Sequence, residues 1–123
     1  MNLNEYQKFT ASTAVYNREV TVGHYLHGTG LPEMYPVLAL AEEAGEVAGK
    51  YAKFVRKHQD MHNPEEYRAL VDAVILELGD VLYNVSEIAR QLGVPLQEVL
   101  DSNVKKLTDR KARNVIVGEG DNR

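Results

Sequence analysis

Cysteine and tryptophan are both absent from the 123 residues. Without cysteine there is no disulfide scaffold, no thiolate-bound zinc and no thiol nucleophile, which fits a cytoplasmic protein. A basic surplus is missing too. The 14 Lys and Arg against 18 Asp and Glu leave a net charge of −4, which argues against a dedicated DNA- or RNA-binding protein. The longest nearly apolar stretch, 73–78, is already broken by Glu77 and falls far short of a membrane span. Met1-Asn2-Leu3-Asn4-Glu5 offers no basic segment leading into an apolar run, so no signal peptide is expected. Alternating strand patterns, internal repeats and low-complexity stretches are also lacking, apart from the short Val115-Ile116-Val117. What is present is 44% hydrophobic and 26% charged, the balance of one soluble globular domain.

The periodicity is helical almost throughout. Tyr6, Phe9, Thr13, Tyr16 and Val20 recur at steps of three and four, one stripe of a first helix. Asn4 followed by Gln7 forms a capping box at its start. Residues 21–34 contain Gly23, Gly28, Gly30 and Pro32 and read as a loop bordering a site. A second helix is expected from Pro36 to about His58, with Leu38, Ala41, Gly45, Ala48, Ala52 and Val55 as its packing stripe. Asn63-Pro64-Glu65-Glu66 is a strong third start, with Asn as cap and Pro at the first helical position. That helix runs to about Leu92, where Gly93 and Pro95 stop it. A fourth carries Leu96, Val99, Leu100, Val104 and Leu107. The expected fold is an all-α bundle of four to five helices over 1–111, followed by a polar, loosely held tail at 112–123. In the third helix Leu70, Val71, Val74, Ile75, Leu76, Leu78, Val81, Leu82 and Val85 lie nearly all round. Such a helix needs cover nearly all round, so a homo-oligomer, dimer or tetramer, is expected.

Two acidic clusters border apolar seams. Glu42, Glu43 and Glu46 sit at i, i+1 and i+4 of the second helix, with Lys50 beside them. Glu77 and Asp80 sit at i, i+3 of the third, and Asn84 extends their row. Carboxylates at an apolar edge need compensation. Lys or Arg partners are one route, and Lys50 can serve one acid. A hard divalent cation with oxygen ligands is the other. His24/His27 and His58/His62 have spacings that zinc accepts, but no acid or thiol is fixed near either pair.

Glu42-Glu43-Ala44-Gly45-Glu46 followed by Glu77-Leu78-Gly79-Asp80 resembles the EExxE…ExxD signature of the MazG-like, all-α nucleoside triphosphate pyrophosphohydrolases. The likeness extends through Leu40–Val47 and Glu77–Val85 and covers roughly Pro36 to Arg110. Thirty residues separate Glu46 from Glu77, at or just past the long end of the family's usual gap. The resemblance implies a Mg²⁺ site, with Mn²⁺ as a possible substitute, held by Glu43, Glu46, Glu77 and Asp80, with Glu42 orienting water. It implies water attack at a metal-bound phosphate, converting a (d)NTP to the (d)NMP and pyrophosphate. Asn103, Lys106 and Arg110 share a face of the fourth helix at i, i+3 and i+7. Alone they read as a solvated basic turn; beside a triphosphate site they read as a phosphate clamp, with Lys50 and Asn84 as further substrate contacts. Lys50, Lys53, Arg56 and Lys57 form a second basic run, read as mostly solvated. Tyr6, Phe9, Tyr16, Tyr25 and Tyr83 are available to a base. Relatives acting on dUTP or phosphoribosyl-ATP, and a catalytically silent interaction module, are the alternatives.

Overall fold

Asn2, rather than Asn4, begins the first helix. Its side chain accepts the Glu5 N–H at 2.9 Å while the Glu5 carboxylate accepts the Asn2 N–H at 2.9 Å. The expected box is therefore shifted by two residues. Glu5 at the third helical position is an anion facing the positive end of the helix dipole, an advantage Gln7 lacks. This computed structural model describes residues 1–14 and 34–117. Among them are four helices and no strand: α1 (Leu3–Thr13), α2 (Met34–Arg56), α3 (Pro64–Gln91) and α4 (Leu96–Ala112). The all-α expectation holds, and Val115–Val117 are not a strand. Tyr16, Val20, Tyr25, His24, His27, the 21–33 part of the expected loop and the last six residues lie outside the described ones.

The helix ends follow local chemistry. Asn63 accepts the N–H groups of Glu65 and Glu66 at 3.0 and 3.3 Å, with Pro64 opening α3 as expected. His58, Gly93 and Asn114 take left-handed backbone after α2, α3 and α4, with φ of 54°, 72° and 57°. At each end the residue after the left-handed one reaches back five positions. Gln59, Val94 and Val115 donate to the carbonyls of Phe54, Ala89 and Arg110. Of these positions only Gly93 carries no strain from a Cβ.

The long helices α2 and α3 form an antiparallel hairpin around Phe54, Leu70 and Val74, with Val47 packed on them. The packing face of α2 is not the expected one. With Gly45 as zero and about 100° per residue, the small-residue stripe lies near 0°, whereas Glu43, Phe54 and Val47 lie at roughly 160°, 180° and 200°. Leu38, Ala41, Gly45, Ala48, Ala52 and Val55 are all exposed in the chain. The reason is size: Val47 and Phe54 bring far more apolar surface to α3 than alanine and glycine do. Ile75, Leu76, Leu78 and Leu82 of α3 are also exposed, as are Val99, Leu100, Val104 and Leu107 of α4.

Helix α1 docks through polar groups. Thr10, Ser86 and Glu87 are fully buried. The Thr10 hydroxyl donates to the Glu87 carboxylate at 2.8 Å and lies 2.9 Å from the Ser86 hydroxyl. Arg90 closes the cluster, its Nη2 and Nε at 2.8 and 2.9 Å from Glu87. Gln7 supplies a second tie. Its amide donates to the Val94 carbonyl at 2.9 Å, and its Oε1 accepts the Leu96 N–H at 3.2 Å. It thereby caps α4, which has no side-chain cap of its own. The face of α1 set by these bonds buries Thr10 and Ala14 and leaves Phe9 53% exposed, so the expected Tyr6–Phe9–Thr13 stripe is only partly the buried one.

Candidate functional site

The face of α2 that packs on α3 carries an acid at its middle. Glu43, half-buried, meets Glu77 and Asp80 so that one oxygen of each lies within 4.8 Å of the others. Asp80 is exposed and Glu77 half-buried. Among the described residues the three carboxylates share one cation: the Lys50 ammonium lies 2.7 Å from Glu77. Burial raises the Glu43 carboxyl above the ordinary glutamate range, and the charges of Asp80, Glu42, Glu77 and Glu46 push it further. The hydrogen bond to Glu77, reinforced by the charges of Glu77 and Glu46, raises the Lys50 ammonium against the opposing effect of its desolvation. Lys50 therefore stays a cation here.

Glu43, Glu77 and Asp80 come together, and Lys50 joins them. Glu42 and Glu46 are exposed and outside the trio, at roughly 60° and 100° on the wheel where Glu43 is at about 160°. Their charges still reach Glu43, and that of Glu46 reaches Lys50. Asn84 is buried, its Nδ2 donating to the Asp80 carbonyl at 3.0 Å, while its Oδ1 has no partner among the described residues. Asn103 and Lys106 line a groove along α4 with Val94, Glu98, Val99 and Ser102. Arg110, expected on their open face, is 5% exposed.

Beside the trio is a cleft of about 220 Å³ lined by Tyr35, Ala39, Glu43, Asp80, Tyr83 and Asn84. Tyr35 escaped the sequence reading. It stands four residues before Ala39 and eight before Glu43, a signal visible only once α2 is turned to its true face. Tyr6 of α1 borders the same region. Its phenol is raised above the usual tyrosine range, first by burial and then by the charges of Asp80 and Tyr83.

An all-oxygen donor set of three converging carboxylates, with one cationic partner among the described residues, suits a hard divalent cation. A helical hairpin with inward acids from both helices is an arrangement able to hold a metal ion between helices. The chain belongs to the MazG nucleotide pyrophosphohydrolase domain family, which matches residues 35–115. Over its whole length it is similar to the Gene 37 protein of Mycobacterium phage L5, 37% identical over 123 residues and covering 100% of both chains. No solved structure matches it significantly. Helix α1 lies outside the family match. Among the described residues no helix is long and apolar enough to cross a membrane.

Proposed function

We propose that this protein is a Mg²⁺-dependent nucleoside triphosphate pyrophosphohydrolase, with Mn²⁺ able to replace Mg²⁺, acting on a (d)NTP to give the (d)NMP and pyrophosphate. The convergence of Glu43, Glu77 and Asp80, with a single lysine for the three acids among the described residues, carries the reading. These residues, with Glu46 from the adjoining turn, are the ones to hold the cation. Bound there, it supplies neutralisation of phosphate charge and a fixed orientation for the substrate.

The chain's own groups do the rest. A water oxygen bonds to phosphorus, the bridge between the α- and β-phosphates opens, and the water's proton passes to a nearby carboxylate, for which exposed Glu42 is the candidate. Lys50 holds Glu77 in place and adds positive charge near the phosphates. The open Oδ1 of Asn84 accepts a donor from the nucleoside between Tyr35 and Tyr83. Asn103, Lys106 and Arg110 on α4 serve as further phosphate contacts. The exposed apolar residues of α2 and α3, Val55 and Leu76 at 70% each among them, support a homodimer or homotetramer.

A panel of NTPs and dNTPs, assayed for pyrophosphate release in Mg²⁺ and in excess EDTA, tests the reading and separates it from dUTP- or phosphoribosyl-ATP-directed relatives. Metal-dependent release is expected. Full turnover in EDTA, or none with any nucleotide, would overturn it, the latter in favour of a silent module in which Lys50 merely pairs Glu77.

A further inference from the structure

The surface of α2 is sorted by charge along its length. At about 100° per residue, Glu43, Glu46, Lys50, Lys53 and Lys57 all fall within roughly 80° of one another. The acids come first and the lysines follow. Lys57 lies one residue past the helix, but its N–H still bonds the Lys53 carbonyl at 3.0 Å, which keeps it in register. The three lysines line one cleft of about 300 Å³ between α2 and the start of α3, floored by Phe54 and Leu70. The acid lining it, Glu66, already accepts the Asp60 N–H. The ammonium groups of Lys53 and Lys57 form no ion pair among the described residues.

A helix C-terminus favours cations, which accounts for a lysine there but not for three converging on one cleft in a chain of net charge −4. Lys50 belongs to both places, bonding Glu77 of the trio and lining the lysine cleft. The order along the hairpin is therefore the Tyr35–Tyr83–Asn84 cleft, then the acid trio, then Lys50, then Lys53 and Lys57. Resting on the pyrophosphohydrolase reading, we propose that the lysine cleft is the subsite for the substrate's terminal phosphates, the part released as pyrophosphate. The nucleoside then lies at the opposite end, against the tyrosines. Lys53 and Lys57 select for a long anionic tail, so a triphosphate is held better than a diphosphate.

The test uses the full chain, wild type and the Lys53→Gln/Lys57→Gln double variant. Both side chains are exposed, so folding is not at stake. Tripolyphosphate is titrated in EDTA and followed by ³¹P line broadening, which reads the lysines without any metal. Wild type should bind tripolyphosphate more tightly than orthophosphate, and the double variant should lose roughly tenfold of that affinity, as expected when two charge-assisted contacts go. The variant's KM for a triphosphate should rise while inhibition by the nucleoside monophosphate stays unchanged. Equal tripolyphosphate binding by the two proteins, or none by wild type, overturns the subsite even if hydrolysis proceeds normally. Weakened tripolyphosphate binding in a protein that hydrolyses no nucleotide keeps the anion subsite and removes the hydrolase.

Discussion

Replacing Thr10 by valine removes one hydroxyl and nearly no volume, at a point where α1 is held by polar bonds. The hydroxyl donates to a fully buried carboxylate, Glu87, at 2.8 Å and faces Ser86 at 2.9 Å. Valine leaves Glu87 with its two Arg90 bonds but one donor fewer, and Ser86 without that neighbour. A lost hydrogen bond to a buried charged acceptor costs about 2 kcal/mol. For a chain of 123 residues, that is a fall in Tm of roughly 8 °C at about 4 °C per kcal/mol. The control is Arg68→Ala, which breaks the Arg68–Asp72 pair at 2.9 Å with both side chains exposed. An exposed pair of this kind is worth at most about 0.5 kcal/mol, so the control should melt within roughly 2 °C of wild type. Calorimetry of wild type, Thr10→Val, Thr10→Ser and Arg68→Ala at one protein concentration measures all four. Serine keeps the donor and should recover most of the loss. A Thr10→Val protein melting with the control would refute the reasoning that polar bonds, rather than apolar contact, dock α1.

Three other outcomes are expected. Because Glu43 has its carboxyl raised in the folded state, the apoprotein gains stability as pH falls through that raised value. Glu43→Gln should therefore exceed wild type in urea midpoint at neutral pH and converge with it below the ordinary glutamate pKa; a difference independent of pH would contradict the crowding of charge. Leu76→Glu changes a residue that is 70% exposed in the chain, so light scattering should show wild type as an oligomer and the variant reduced towards monomer mass; a monomeric wild type at low micromolar concentration would remove the oligomer. Lys106→Ala, at an exposed groove residue, should raise the KM for a triphosphate several-fold with little change in Tm, whereas Arg110→Ala, at a buried one, should also lower Tm; unchanged kinetics in both would assign α4 to structure alone.

The helices and the acid pairs were legible because their signals are local. Asn63-Pro64 announced α3 through capping geometry, and Glu77 and Asp80 sit at a spacing that shares a face. Which face of α2 turns inward was not legible, because small residues at helical spacing look like a packing stripe whether a neighbouring helix or a second chain covers them. The error placed Glu43 on the flank, when it stands in the seam, and hid Tyr35. Thr10, Ser86 and Glu87 were missed for a related reason. A buried polar cluster is made of the residue types that ordinarily face water, and only the partner across 76 positions of chain shows that one of them does not. The pairing of Lys50 with one acid was foreseen; the convergence of Lys53 and Lys57 on a cleft required the α2–α3 geometry.

Melting curves of wild type and Asp80→Asn, each with and without Mg²⁺, test the central claim most directly. In the apoprotein Asp80 stands beside Glu43 and Glu77, while the cation Lys50 bonds Glu77, so removing its charge relieves repulsion. Asp80→Asn without metal should be as stable as wild type or slightly more so. Wild type should gain stability with millimolar Mg²⁺, because the ion binds only the folded state, and the variant should lose that gain. An Asp80→Asn protein that is destabilised, beside a wild type indifferent to Mg²⁺, would contradict the metal centre.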